Sequence, residues 1–174
     1  DKVCNSLLCL KGSGEWQGTS LEAIVSATEK NKEKFGETIE ELQAFLDYFP
    51  RSEKVSTAQN AIFELQDKLT LKELQNAQLY YNLGTYLGNN YQSAVIVAEN
   101  AIKDYPYSKY KEALEFLILK AKYQEANLSV DEKKADRFRD VVDEYYSFVN
   151  NYPNSSNRKE ADDIFKIATK YVKE

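Results

Sequence analysis

The sequence contains no histidine, and this absence removes a large part of enzyme chemistry. Without imidazole the chain cannot build a Ser–His–Asp triad, a Cys–His pair, a histidine zinc site or a histidine general base. Adjacent acids such as Asp162 and Asp163 diverge on a helix and do not make an acid/base pair. We therefore expect a protein that is not an enzyme and uses no cofactor or metal. An enzyme based on carboxylates stays a remote alternative.

Turn-forming residues are also scarce, with 3 Pro and 6 Gly among 174 residues. Architectures of strands and turns use more of both, so the composition predicts an all-α fold. No apolar run approaches the roughly 18 residues that a membrane-spanning helix needs. The net charge is −5, and the basic residues are interspersed with acids. We therefore expect no nucleic-acid ligand.

Cysteine is limited to Cys4 and Cys9, in the segment VCNSLLCL. A continuous helix would hold their α-carbons beyond disulfide reach, so a bridge would require a loop there. Two thiols without CxxC spacing make a poor metal site. Two small buried hydrophobic residues are at least as good an interpretation, and the pairing stays open.

What the sequence does have is one local pattern around all of its prolines. Pro50, Pro106 and Pro153 lie in DYFPRSE, DYPYSKY and NNYPNSS, each after an aromatic residue and two positions before a serine. Apolar or small residues stand eight, five, four and one positions before each Pro, which predicts one face of a helix. Because Pro disfavours helical geometry in the residue before it, each Pro should end that helix. The serine should then cap the next helix.

Apolar residues return at spacings of three and four after each corner, which predicts a second helix there. The prolines are 56 and 47 residues apart (106 − 50 and 153 − 106), so the first interval has room for an additional helix. In the second interval the polar run EANLSVDEKKAD suggests an extended loop. The overlapping run DEKKADRFRD fits a solvated helix start better than a charged docking surface.

The segment LYYNLGTYLGNNYQSAVIVAENAIKDYP, residues 79–106, is close to one complete tetratricopeptide repeat (TPR). Gly84 stands where the two helices of such a repeat approach closely. Ala94, Ala98 and Ala101 are the small residues that let the second helix pack on the first. This segment is the strongest indication of fold in the sequence.

We therefore predict an all-α, TPR-like right-handed superhelix of antiparallel helical hairpins, with about eight helices. This domain would occupy residues 19–174. Residues 1–18 would form an N-terminal arm, which contains Trp16 and matches no pattern. A generic helical bundle with prolines in its loops is the alternative fold.

The same region resembles the BamD family (also called YfiO or ComL), the TPR lipoproteins of the outer-membrane β-barrel assembly machinery. The resemblance extends from about Phe35 to the C-terminus, and the composition is similar to the Bacteroidota branch. The chain departs from the family pattern in lacking two N-terminal repeats and a lipobox. The matching positions are Glu73, Leu74, Ala77, Tyr80, Tyr81, Gly84, Ala94, Tyr105 and Pro106.

The resemblance implies a non-catalytic scaffold at the periplasmic face of the outer membrane. Its partners would be the periplasmic POTRA domain of a BamA-like subunit and other Bam subunits, with segments of unfolded outer-membrane proteins as a further class of ligand. Contact with the membrane would be made only through a lipid anchor, which this chain does not show. A free-standing TPR adaptor that binds another protein or peptide is the alternative function.

The candidate partner-binding residues follow from the TPR pattern. The first helix of each hairpin lines the concave groove, and around Gly84 this pattern selects Gln78, Tyr81 and Thr85. Tyrosine supplies contact area at low entropic cost, so a groove lined by it suits a peptide or domain. For any one of the 13 tyrosines the alternative is a packing role with a solvated hydroxyl.

Overall fold

The computed structural model describes the backbone of residues 21–172 and the side chains of residues 32–172. This part of the chain is all-α, as predicted, and contains no strand. The predicted arm of residues 1–18, with Cys4 and Cys9, lies outside the described residues. Six helices are formed: α1 (Leu21–Tyr48), α2 (Val55–Leu83), α3 (Asn90–Asp104), α4 (Lys111–Asn127), α5 (Asp131–Asn151) and α6 (Arg158–Val172).

The described residues thus give six helices where the sequence predicted about eight for residues 19–174. The first interval between prolines holds no additional helix, because α2 runs unbroken for 29 residues. No Pro or Gly occurs in it before Gly84, so nothing ends it earlier. The extended loop expected at EANLSVDEKKAD is also wrong, because α4 continues to Asn127 and α5 begins at Asp131. Acidic residues in the first turn favour this early start of α5 through the helix dipole.

The chain divides into two compact units between Thr38 and Ile39, inside α1. In the first unit, the described residues are the N-terminal part of α1. In the second unit, each helix from α2 to α6 packs against the next helix along the chain. Helix α4 also contacts α2 and α6. It is therefore the central helix of the second unit.

The three proline corners have the same hydrogen bonds. The aromatic residue before Pro donates its N–H to the carbonyl four residues back at 2.9–3.0 Å, and the serine N–H donates to the aromatic carbonyl at 3.1–3.2 Å. Ser52, Ser108 and Ser155 each accept, at Oγ, the N–H two residues later, at 3.0–3.3 Å. The predicted helix cap is therefore corrected: each serine closes a turn three residues before the helix begins.

Two of the corner serines also bind a carboxylate on an earlier helix. Ser108 Oγ donates to Asp67 Oδ1 of α2 at 2.7 Å, and Ser155 Oγ donates to Glu112 Oε1 of α4 at 2.6 Å. Burial opposes ionisation of Asp67, but hydrogen bonds from Ser108 and Lys109 outweigh it and hold its pKa below the usual value. These bonds fix the start of α4 against α2 and the start of α6 against α4.

The core of the second unit contains two apolar clusters, and α4 contributes to both. One side of α4 packs with α2 and α3, through Leu114, Leu117, Ile118 and Ala121. Another side packs with α5 and α6, through Phe116, Leu119 and Ala126. The predicted small face of α3 is confirmed, since Ala94, Ala98 and Ala101 are all buried.

Gly84 is the residue at which α2 ends. Its φ of 56° is in the left-handed region, where glycine carries no steric penalty. A Cβ placed there would lie 2.9 Å from Tyr91 Oη on α3. Glycine therefore suits this backbone conformation, and a side chain here would also displace the Tyr91 hydroxyl.

Candidate protein-interaction groove

A groove of about 340 Å³ runs across the helices α2 and α4 to the start of α6. These three helices are adjacent because α4 contacts both α2 and α6. Corner bonds from Ser108 and Ser155 fix where α4 and α6 begin. The lining residues are Leu74, Gln75, Gln78, Ala113, Phe116, Leu117, Lys120 and Asn157.

The floor of the groove is apolar and its sides carry carboxamides. Phe116 and Leu117 are only 8% and 4% exposed, whereas Gln75 and Gln78 are exposed. Gln78 Nε2 donates to Asn82 Oδ1 at 3.1 Å, an exposed bond that a ligand can replace. Carboxamides both donate and accept, so they can bond to the main chain of a protein segment while an apolar side chain occupies the floor.

Lys120 of α4 lines the groove and reaches side chains on both α2 and α6. Its Nζ lies 5.2 Å from the centre of the Tyr81 ring on α2 and 5.4 Å from that of Phe116. The same atom lies 3.4 Å from Glu160 Oε1 on α6. The charge of Lys120 is thus balanced by Glu160 and by two aromatic faces. The lining has little net charge, which suits an uncharged stretch of protein.

Tyr81, the second predicted partner-binding residue, lies beside the groove as a packing residue. It is half-buried and meets Tyr91 of α3 edge to face, with ring centres 5.6 Å apart. Lys120 covers its ring from the groove side. Tyr81 therefore supports the position of Lys120.

Thr85, the third predicted residue, lies in a different cavity. Gly84 ends α2 and turns the chain, so Thr85 belongs to the connection between α2 and α3. There it borders a cavity of about 290 Å³ together with Gly88, Asn89, Tyr91, Glu125, Leu128 and Arg137. The structure therefore brings Gln78 into the groove and Tyr81 beside it, while Thr85 is separate from both.

Sequence reasoning missed the contributions of α4 and of the last corner. Phe116 and Lys120 are four residues apart on α4, which places them on one face of the helix. This spacing can be read directly from the sequence. The spacing did not single out this face because α4 has apolar residues on several sides. Asn157 follows Ser155 by two positions and could have been assigned to a corner, but not to a groove.

A polar cluster on α5 and α6 is centred on the carboxylate of Asp162. Asp162 Oδ1 accepts hydrogen bonds from Tyr145 Oη at 2.7 Å and Arg158 Nε at 2.8 Å. The bonds from Arg158 and then Tyr145 lower the pKa of Asp162, while burial and then Asp162 raise the pKa of Tyr145. Asp163 pairs with Lys166 instead, so these adjacent carboxylates do diverge.

Among the side chains that the structure describes, residues 32–172, no group of three or more metal-ligating residues is arranged to hold an ion. None of the helices described combines the length and the apolar character needed to cross a bilayer. No protein-family model matches the chain, and a comparison with curated proteins finds no match.

Proposed function

We propose that this protein is a non-catalytic scaffold that binds a partner protein along the face formed by α2, α4 and α6. The main observation in support of this proposal is the groove across those helices, which has an apolar floor and carboxamide side chains at its edges. Its chemistry suits a segment of protein main chain with an apolar side chain. Gln78 is the predicted residue that lies in it.

The finer architecture that we propose is a TPR-like right-handed superhelix of antiparallel hairpins. The contacts of α4 with α2 and α6 support it, because first helices of successive hairpins pack on each other in such arrays. The hairpins would be α2 with α3 and α4 with α5. The three matching corners would then join one hairpin to the next.

The resemblance to the BamD family supports a place in the outer-membrane β-barrel assembly machinery. On this proposal the partner is a POTRA domain of a BamA-like subunit, other Bam subunits join the same assembly, and the protein acts at the periplasmic face of the outer membrane. Unfolded outer-membrane protein segments are a further class of ligand, and a lipid anchor would attach the protein to the membrane. A free-standing adaptor for another protein is the alternative.

The test is binding of the purified chain to the purified POTRA region of the BamA-like protein from the same organism, measured by isothermal titration calorimetry. We expect saturable binding that Gln78→Arg weakens at least about tenfold, because the larger charged group fills the groove and must be desolvated. Gln92→Arg, the same change at an exposed position on α3, should have little effect.

The unchanged chain tests the identity of the partner, and the two variants test which surface the partner contacts. Absence of binding by the unchanged chain would contradict the Bam assignment and leave the free-standing adaptor. Binding that Gln78→Arg and Gln92→Arg affect equally would show that the partner does not use the groove. Thermal melting of both variants checks that neither change unfolds the chain.

A further inference from the structure

Four large apolar side chains point into solvent from two turns of the second unit. Tyr86 and Leu87, between α2 and α3, are 67% and 91% exposed. Leu128 and Val130, between α4 and α5, are both 60% exposed. Turns normally carry polar residues at such positions, so a cluster of exposed apolar tips indicates an interaction surface.

The two turns are held side by side. Asn89 Nδ2 donates to Glu125 Oε1 at 2.9 Å, which ties the first turn to the end of α4. Arg137 of α5 lies 3.2 Å from the same carboxylate oxygen and donates to Ser129 Oγ. We call the surface formed by Tyr86, Leu87, Leu128 and Val130 the turn edge.

Much of the backbone at the turn edge already has hydrogen-bond partners within the protein. In the first turn, Tyr86 N–H donates to Leu83, Asn90 N–H donates to Gly84, and Asn90 Nδ2 donates to the Tyr86 carbonyl at 2.7 Å. In the second turn, the N–H groups of Leu128, Ser129 and Lys133 donate to Gln124, Ala126 and Val130. Moving these turns out of water therefore costs less than it would for open loops.

The backbone at Leu87 is held in a costly conformation that directs the side chain outward. Its φ is 57°, in the left-handed region that leucine rarely adopts. Glycine or asparagine would fit this position with less strain, as is usual in turns. An apolar side chain that is 91% exposed at such a position buries almost no surface within the chain, which is consistent with a role in contact with a ligand.

The charges next to the turn edge are balanced. Asp131 and Glu132 are followed directly by Lys133 and Lys134, and Glu125 is paired with Arg137. A balanced rim does not repel a zwitterionic lipid headgroup, although the whole chain carries a net charge of −5. The rim therefore matches a zwitterionic surface better than a strongly charged partner.

We propose that the turn edge inserts into the interfacial layer of a lipid bilayer. Leu87, Leu128 and Val130 enter the apolar boundary, and the Tyr86 ring lies at the level of the headgroups with its hydroxyl in water. A fluid lipid phase closes around protruding tips, whereas anchor residues in protein interfaces are usually received by preformed pockets. This inference is independent of the groove and of its partner.

The test is flotation of the purified chain with vesicles of pure phosphatidylcholine. Leu87→Asn removes the leading apolar tip and suits the left-handed backbone, so it should lower the partition coefficient at least about tenfold without lowering the melting temperature. Tyr86→Ser should also weaken binding. Tyr107→Ser is the matched control, since Tyr107 is 84% exposed but lies in the corner between α3 and α4.

Each outcome bears directly on the proposal. Loss of flotation in Leu87→Asn and Tyr86→Ser, with normal flotation of Tyr107→Ser, supports it. Failure of the unchanged chain to float overturns it, as does equal loss in all three variants. If the chain instead self-associates through these tips, sedimentation velocity without lipid will show a dimer that Leu87→Asn abolishes, and the lipid proposal is wrong.

Discussion

At the scale of single residues, the most informative site is the buried carboxylate of Glu115 on α4. It is 8% exposed, and it accepts hydrogen bonds from Asn151 Nδ2 at 3.0 Å and Tyr152 Oη at 3.4 Å. Lys111 Nζ lies 3.7 Å from it. Burial, and then the negative charge of Glu115, raise the pKa of Tyr152 to about 12. The aromatic residue of the last corner is thus linked to the central helix by a polar contact.

The raised pKa of Tyr152 predicts a pH dependence at the alkaline side. Its contribution to stability is complete below the ordinary tyrosine pKa, near pH 10, and is lost as the pH rises toward about 12. In a titration followed by tyrosinate absorbance, Tyr152→Phe should reduce the absorbance change at the highest pH values, near pH 12. Glu115→Gln should shift that absorbance change to lower pH, and an unchanged curve in both variants would contradict this assignment.

The sequence could predict Tyr152 as the packing residue of a corner but not the partner of its hydroxyl. Glu115 lies 37 residues earlier, within a helix whose other buried residues are nearly all apolar. The same limit applies to Lys120, whose contacts with Tyr81 and Glu160 depend on how α4 packs against α2 and α6. Polar contacts between distant elements leave no periodic signal in a single sequence.

At the scale of elements, the face of α3 shows why small residues recur at a helical spacing. Ala94 and Ala98 are completely buried, and Ala101 is 2% exposed. Methyl groups at these positions allow α3 to approach α2 and α4 closely. The periodic pattern in the sequence predicted this face correctly. The spacing of these residues does not give the length of α2, which follows from the absence of Pro and Gly between Val55 and Leu83, a feature that the sequence also shows.

Enlarging this face should be destabilising. Ala98→Leu adds three carbon atoms where the exposed fraction is zero, and overpacking of this kind typically costs about 1–3 kcal/mol. Asn100→Leu places the same side chain on the exposed side of α3 and should change the free energy of unfolding by no more than about 0.5 kcal/mol. Urea denaturation measures both, and equal effects would show that the buried face is assigned wrongly.

At the scale of the whole second unit, the two apolar clusters share only α4. Phe148 is completely buried in the cluster of α4, α5 and α6, and Ala77 is completely buried in that of α2, α3 and α4. In such an arrangement the stability of each helix depends on its contacts with neighbouring helices, because distant helices make no direct contact. The sequence predicted an all-α chain and its corners, but it could not show that one helix serves both clusters.

This arrangement predicts graded unfolding. Phe148→Ala should destabilise its own cluster by about 3–5 kcal/mol. In native-state hydrogen exchange, amides of α5 and α6 should then lose most of their protection, while those of α2 and α3 keep more of theirs. Ile96→Ala, at a half-exposed position on α3, serves as the control. Uniform loss of protection from α2 to α6 would show instead that the unit opens all at once.

The serine-to-carboxylate bonds at the corners also bear on how the chain tolerates changes of length. Successive prolines are 56 and 47 residues apart, yet the bonded pairs Asp67–Ser108 and Glu112–Ser155 span 41 and 43 residues. The surplus of the first interval therefore lies before Asp67, where α2 extends about 16 Å beyond the level at which α4 begins. We expect insertions or deletions there to leave the register of the two downstream corners unchanged, although they would rotate the buried Ala58 and Ile62 of α2 out of position.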